Sequence, residues 1–189
     1  MGHRSLVAMA RDGRDDEASR ILCDVAARLH APRNHPLPEL IPLERWFGEL
    51  WPGAAKHGGI LGQAASTARA LLDQPQEVGV LHGDLHHGNV LDFGPRGWLA
   101  IDPKRLLGER GFDFANIFRN PDLEIAKTPG RLARQATAIA ETAQLDRARL
   151  LRWVLAYAGL SAAWVLNDGD DATLDHTVAE IAAAEIDRG

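Results

Sequence analysis

Three oxygen-bearing side chains, Asp84, Asn89 and Asp102, stand at a spacing that could hold a divalent cation beside a base. Asp84 sits in the loop His82-Gly-Asp-Leu-His-His-Gly-Asn89, where Gly83 and Gly88 let the backbone bend tightly at both ends. Val90 to Ile101 reads as two short strands joined by Gly94-Pro95-Arg96-Gly97, a connection of hairpin length. If Phe93 faces Trp98, then Val90 faces Ile101 and Asn89 faces Asp102, with opposed Cα atoms roughly 4.5 to 5.5 Å apart. A carboxylate and an amide oxygen at that separation can share one cation. Magnesium takes oxygen ligands and keeps several waters, so one or two protein ligands plus nucleotide phosphates complete its shell. Asn89 and Asp102 supply that number of ligands, and Asp84, a carboxylate in a loop beside them, stands where a base could meet an acceptor hydroxyl. Phosphoryl transfer from ATP is a chemistry such a set could serve, since it needs little beyond an orienting carboxylate and cations on the phosphates.

The elements that must position these residues follow from periodicity. Residues 1–75 read as helical, 78–102 as the catalytic loop and metal-binding hairpin, and 111–189 as a helical part on the substrate side. The spacing predicts a helix from Asp15 to Leu29 with Ala18, Ile21, Leu22, Val25 and Leu29 on one face, stopped by the proline-rich stretch 32–42. Two more helices follow at about 43–50 and 58–73. Apolar runs at 78–81, 90–93 and 98–101, punctuated by glycines, predict the only strands. Helix resumes at about 111–119, then from Thr128-Pro129, with Thr as cap, to about Gln144. Asp146 opens a long helix to about Asn167, and 172–187 is the last. The expected fold class is mostly α with a small β-hairpin.

HGDLHHGNVL, followed by WLAIDP and GERGFDFAN, resembles the aminoglycoside phosphotransferases, most closely the streptomycin 6-kinase and hydroxyurea kinase branch. LAYAGLSAAWVLNDG extends the resemblance over nearly the whole chain, and Pro103 after Asp102 matches the same branch. The resemblance implies the C-terminal lobe of a protein-kinase-like fold, ATP with Mg2+, and phosphorylation of a small-molecule hydroxyl, as in inactivation of an antibiotic. It also implies Asp84 as catalytic base, Asn89 and Asp102 as magnesium ligands, and Asp113 as a buttress accepting hydrogen bonds from the catalytic loop. Such kinases carry an amino-terminal lobe with a glycine-rich phosphate loop and a strand lysine. Neither is found here, since the only lysines, Lys56, Lys104 and Lys127, fall outside any suitable strand. The chain is expected to begin just after the hinge, to lack the N-terminal ATP lobe and to be inactive alone.

At 189 residues, 46% hydrophobic and 25% charged, the chain fits one domain with a real core, so disorder is not expected. Its net charge of −5 argues against a nucleic acid partner and for a cationic, aminoglycoside-like substrate. No apolar run reaches the roughly 18 residues of a membrane span, and no signal peptide is evident, so no membrane partner and a cytoplasmic location are expected. Cys23, the only cysteine, lies among Ile21, Leu22, Val25 and Ala26 and reads as a packed helix residue. The surface a missing lobe would cover predicts self-association.

Other readings compete. His82, Asp84, His86 and His87 resemble a zinc cluster, which makes a zinc-dependent hydrolase one alternative. A noncatalytic binding module derived from a kinase is the other. His82 reads as a structural histidine bonded to backbone, while of His86 and His87 one could face phosphate or substrate and the other pack. Asp113 between two phenylalanines also suits a helix N-terminus. Asp168, Asp170, Asp171 and Asp175 could hold guanidinium groups, against the plainer reading of a solvated loop. Trp153, Tyr157 and Trp164, at helical spacings, read as core. Glu109 and Arg110 fall where kinases place substrate-facing residues.

Overall fold

Helix α1 (Leu6–Arg11) begins where Ser5 accepts from the Ala8 amide, and α2 (Asp15–His30) opens on three acidic residues and closes on Arg28 and His30, matching the helix dipole at both ends. The computed structural model that defines these elements describes residues 4–32, 34 and 36–188. Ala18, Leu22, Cys23, Val25 and Ala26 are buried on one face of α2, as the periodicity predicts, with Ile21 and Leu29 half-buried beside them. Burial pushes the Cys23 thiol up to about 12, so it packs as an inert side chain. The helix ends because Ala31 precedes Pro32 and takes an extended ψ of 139°. Within the proline-rich stretch, Arg33 and His35 lie outside the described residues.

Strand β1 (Ile41–Pro42) leads into α3 (Leu43–Trp46), a 3-10 turn, α4 (Leu50–His57) and α5 (Gly59–Asp73). Strands β2 (Val78–Leu81), β3 (Val90–Asp92), β4 (Trp98–Ala100) and β5 (Leu106–Glu109) follow, then α6 (Gly111–Ala115), a 3-10 turn at 116–119, and α7 (Leu123–Ala126). The chain closes with α8 (Arg131–Ala143), α9 (Arg147–Asn167) and α10 (Thr173–Ile186). The fold is mostly helical with two small sheets, so the expectation of one hairpin is corrected. β5 lies between β1, to which it is parallel, and β2, to which it is antiparallel, with Leu81 opposite Leu106. The second sheet is β3 with β4. Helix assignments differ as well, and α4 fills the stretch left between the helices expected at about 43–50 and 58–73. α8 starts at Arg131 because Gly130 takes a left-handed φ of 73° after Pro129, and α7 was not foreseen.

Helix α9 is the axis of the core. Asp146 caps it by accepting from Arg149 N at 2.6 Å, and it packs against α4, α5, α6, α8 and α10. By length and composition it could cross a membrane, yet 72% of its apolar window is buried inside the fold, which is what a helix apolar all round requires. Close approach to α5 depends on Gly159, where a Cβ would stand 2.3 Å from Ala64 Cβ. Trp153 is buried and edge-on to Phe112 at 5.7 Å, and Phe112 meets Tyr157 at 5.5 Å.

One buried ion pair ties the start of α2 to the start of α8. Arg131, at the start of α8, donates to both carboxylate oxygens of Asp15 at 2.7 and 3.2 Å and to the carbonyls of Phe118 and Asn120 at 2.9 and 2.8 Å. Burial alone would raise the Asp15 pKa, but His87 and the Arg131 guanidinium outweigh it and hold it at about 2. Against the ordinary 3.8, that shift is about 2 kcal/mol of stability, fully present above the unfolded value and lost as pH falls through about 2. Urea unfolding should therefore give a fall of this size between pH of about 5 and about 2 that Asp15→Asn lacks. Arg131→Ala, which strands the buried carboxylate, should cost about 3 to 5 kcal/mol at neutral pH.

Candidate functional site

The loop between β2 and β3 is anchored by a carboxylate it does not contain. Asp113, in the first turn of α6, is buried and accepts from His82 N at 2.8 Å and Gly83 N at 2.7 Å. His30 Nε2, at the end of α2, meets the same carboxylate at 2.8 Å. Gly83 is needed here, because its φ is +82° and a Cβ would stand 2.7 Å from Leu106 Cδ1. His82 is structural, as read from sequence: its Nδ1 accepts from Asp84 N at 3.2 Å, which leaves Nε2 to donate to the Ile101 carbonyl at 2.9 Å. Its own carbonyl accepts from Lys104 N at 2.7 Å, joining the loop to the segment after β4.

Asp84 projects from this loop with its side chain about a quarter exposed. Asn116 Nδ2 donates to Asp84 Oδ1 at 2.8 Å, and Asn120 Nδ2 in turn bonds Asn116 Oδ1 at 3.1 Å. Asn89 Nδ2 donates to the Asp84 carbonyl at 2.9 Å and to Oδ2 at 3.2 Å, so its own Oδ1 is the atom left for a cation. Lys104 Nζ lies 2.7 Å from Asp102 Oδ2 and 3.5 Å from Asp84 Oδ2. That hydrogen bond lowers the Asp102 pKa and raises that of Lys104. The three predicted oxygen donors are therefore gathered, and an ammonium sits between two of them. The Asp102 carboxylate and the Asn89 amide carbonyl are oxygen donors of the kind that suits a hard divalent cation.

The hairpin brings this about by a different register from the one expected. Val90 pairs with Ala100 and Asp92 with Trp98, so Asn89 lies opposite Ile101, whose N donates to the Asn89 carbonyl at 2.9 Å. Phe93 belongs to the connection: its N donates to Gly97 O at 2.9 Å over a 3-10 turn, and Asp92 Oδ1 accepts from Gly94 N. One extra loop residue shifts every pair by one. Asp102 then falls beyond the ladder, where a φ of +59° turns it back towards Lys104.

Beside Asp84 opens a cavity of about 280 Å3 walled by Trp46, Gly83, Lys104, Tyr157 and Trp164. Trp46 and Trp164 meet edge-on at 5.4 Å. Of the three aromatics read as core, Trp153 is core, Tyr157 is buried but reaches the cavity wall, and Trp164 is half-buried in that wall. Asn116, Trp46 and Lys104 were not singled out from sequence. Asn116 lies within the quoted GFDFAN motif, which was the available signal, whereas Trp46 comes from a helix more than thirty residues away in sequence.

The remaining candidates separate. Glu109 is buried and structural, bonded to Arg149, to Trp153 Nε1 at 2.7 Å and to Gln76 N, while Arg110 binds Glu77 and the carbonyls of Ala143 and Gln144. Asp168, Asp170 and Asp171 are exposed, but Asp175 is buried 2.7 Å from Arg119, and burial raises its pKa. The acidic run is therefore not one patch. His86 accepts from Gly88 N through Nδ1, and burial lowers its pKa against the pull of Asp84, 3.7 Å away. His87 is buried, 3.6 Å from Asp15, and neither ring nitrogen has a hydrogen-bond partner among the described residues. No group of three His, Cys, Asp or Glu among the described residues comes together as a metal ligand set.

A family model described as aminoglycoside/hydroxyurea antibiotic resistance kinase matches residues 1–169. The chain is 57% identical over 173 residues to a streptomycin 3''-kinase from Klebsiella pneumoniae, covering 89% of this chain and 65% of that protein. It is 31% identical over 179 residues to a streptomycin 6-kinase from Streptomyces griseus, covering 89% of this chain and 57% of the relative. A hydroxyurea phosphotransferase from Kitasatospora aureofaciens is 35% identical over 121 residues, 63% of this chain and 33% of its own length. The chain thus spans less than two thirds of each relative. From the geometry of the loop anchor, Asp113→Ala should destabilise the protein by about 3 kcal/mol, since it leaves buried donors unpaired. Amide hydrogen exchange should show the His82 and Gly83 protons losing protection first; unchanged protection there would count against the anchor.

Proposed function

Because the chain belongs to the aminoglycoside/hydroxyurea antibiotic resistance kinase family, we propose that it forms the metal- and acceptor-binding C-terminal lobe of an ATP-dependent kinase that phosphorylates a hydroxyl of a streptomycin-type aminoglycoside. The observation that carries this reading is Asp84, with one carboxylate oxygen held by Asn116, the other facing Asn89 and Lys104, and an aromatic-walled cavity beside it. The acceptor lies in that cavity with its hydroxyl hydrogen-bonded to Asp84. As the hydroxyl oxygen forms its bond to the γ-phosphorus of ATP and the bond to ADP breaks, the proton passes to the Asp84 carboxylate. Asn116 keeps the carboxylate aimed, and the walls of Trp46, Tyr157 and Trp164 exclude water from the reacting side. Asn89 through Oδ1 and Asp102 through its carboxylate would hold magnesium, which when bound offsets charge on the phosphates.

Streptomycin is the first acceptor to try, and its 3'' hydroxyl the first position, because the relative of that name shares 57% of aligned residues. Aromatic faces beside a carboxylate suit a cation, in keeping with the net charge of −5. The nucleotide needs a cover that the described elements do not supply. Lys56 lies on α4, Lys104 among the carboxylates, and Lys127 pairs with Glu124, so none stands on a strand above the phosphates. The 189-residue chain by itself is therefore proposed to transfer little or no phosphate.

The test is an assay with ATP, magnesium and streptomycin on this chain and on a form lengthened to the span of its relatives. The lengthened form should be active, and Asp84→Asn should reduce its turnover by about a hundred- to ten-thousandfold. Robust turnover by the 189-residue chain would overturn the division of labour, and an active Asp84→Asn form would overturn the base.

A further inference from the structure

Lys104 holds a position that the phosphotransfer reading leaves without a task. Its ammonium is 2.7 Å from Asp102 Oδ2 and 3.5 Å from Asp84 Oδ2, so it bridges the carboxylate proposed to bind metal and the one proposed to act as base. The backbone is shaped to put it there. Asp102 and Arg105, which bracket Pro103 and Lys104, take φ of +59° and +56°, conformations that non-glycine residues adopt at a cost. Lys104 N is tied to the His82 carbonyl at 2.7 Å, which sets the root of the side chain against the catalytic loop. The other two lysines have no such setting, Lys56 being exposed and Lys127 paired with the exposed Glu124 three residues before it.

We propose that Lys104 is a built-in counter-cation for the Asp84 and Asp102 pair, a place-holder that a divalent cation displaces on binding. Two carboxylates facing one point repel each other, and without a positive charge between them they would splay or take up a proton. The ammonium offsets that repulsion until a metal ion takes over the task. It is suited to leave, because about a third of the side chain is exposed and its stem can swing into solvent. Displacement exchanges one positive charge for two, so the bound cation neutralises the pair where the ammonium only halves its charge. Lys104 is thus a positioning residue that sets the metal affinity of the site. The inference rests on the reading of Asp102 as a metal ligand, and its test separates the two.

Free Mn2+ is titrated by electron paramagnetic resonance against the whole chain, as wild type, Lys104→Met and Asp102→Asn. Removing the competing ammonium should tighten Mn2+ binding by roughly three- to tenfold, and less at high salt. Asp102→Asn should weaken it. Equal or weaker binding by Lys104→Met, with Asp102→Asn still impaired, overturns the place-holder and leaves the metal ligand standing. Unimpaired binding by Asp102→Asn overturns the metal reading and the place-holder with it, as does an absence of binding by both wild type and Lys104→Met.

Discussion

The buried carboxylate of Asp113 is the constraint from which the site follows. An ionised carboxyl group in an apolar surround is costly unless its lone pairs are filled. Here two consecutive backbone amides, His82 and Gly83, and the His30 imidazole fill them. Two adjacent N–H groups can converge on one carboxylate only if the chain turns between them, which the positive φ of Gly83 permits. Asp84 is the next residue, so the direction in which it leaves the loop is a by-product of satisfying Asp113.

A second buried carboxylate, Asp15, stands near the far end of the same loop beside His87. Both supports trace to one element. Helix α2 carries Asp15 in its first turn and His30 in its last, and between them Arg28 donates to the Trp98 carbonyl of the hairpin. The helix thereby touches the anchor of the loop's beginning, the neighbour of its end, and the strand that leads to Asp102. Charge set deep in the fold makes these links directional in a way that apolar contact would not.

What the sequence disclosed and what it withheld divide along physical lines. α2 and α9 were legible because their apolar residues recur at helical spacing and their ends carry a proline stop and an Asp cap. That Asp84, Asn89 and Asp102 lie near one another was legible because a tight loop and a short hairpin bring close neighbours in sequence together. The hairpin register was not, because a Gly-Pro turn can close with four residues or five, and only the Phe93 to Gly97 hydrogen bond decides between them. β1 and β5 were hidden by their brevity and by pairing across more than sixty residues of sequence. Glu109 and Arg110, polar and next to a glycine, carry the local signature of a binding loop, yet their partners on α9 and at the C-terminal end of α8 make them braces. Trp164 carries the spacing of a core residue and stands at the cavity wall, since a helix that is buried for most of its length still has to emerge somewhere.

The arrangement of α2 gives this helix the character of a gauge. Its two functional ends are fifteen residues apart, roughly 22 Å at the helical rise, and each insertion or deletion would turn one end by about 100° relative to the other. Surface positions along it are free to drift in identity, but its length is not. In a lineage of such chains, α2 would accumulate substitutions readily and gaps scarcely at all, a signature of measure kept rather than of residues kept.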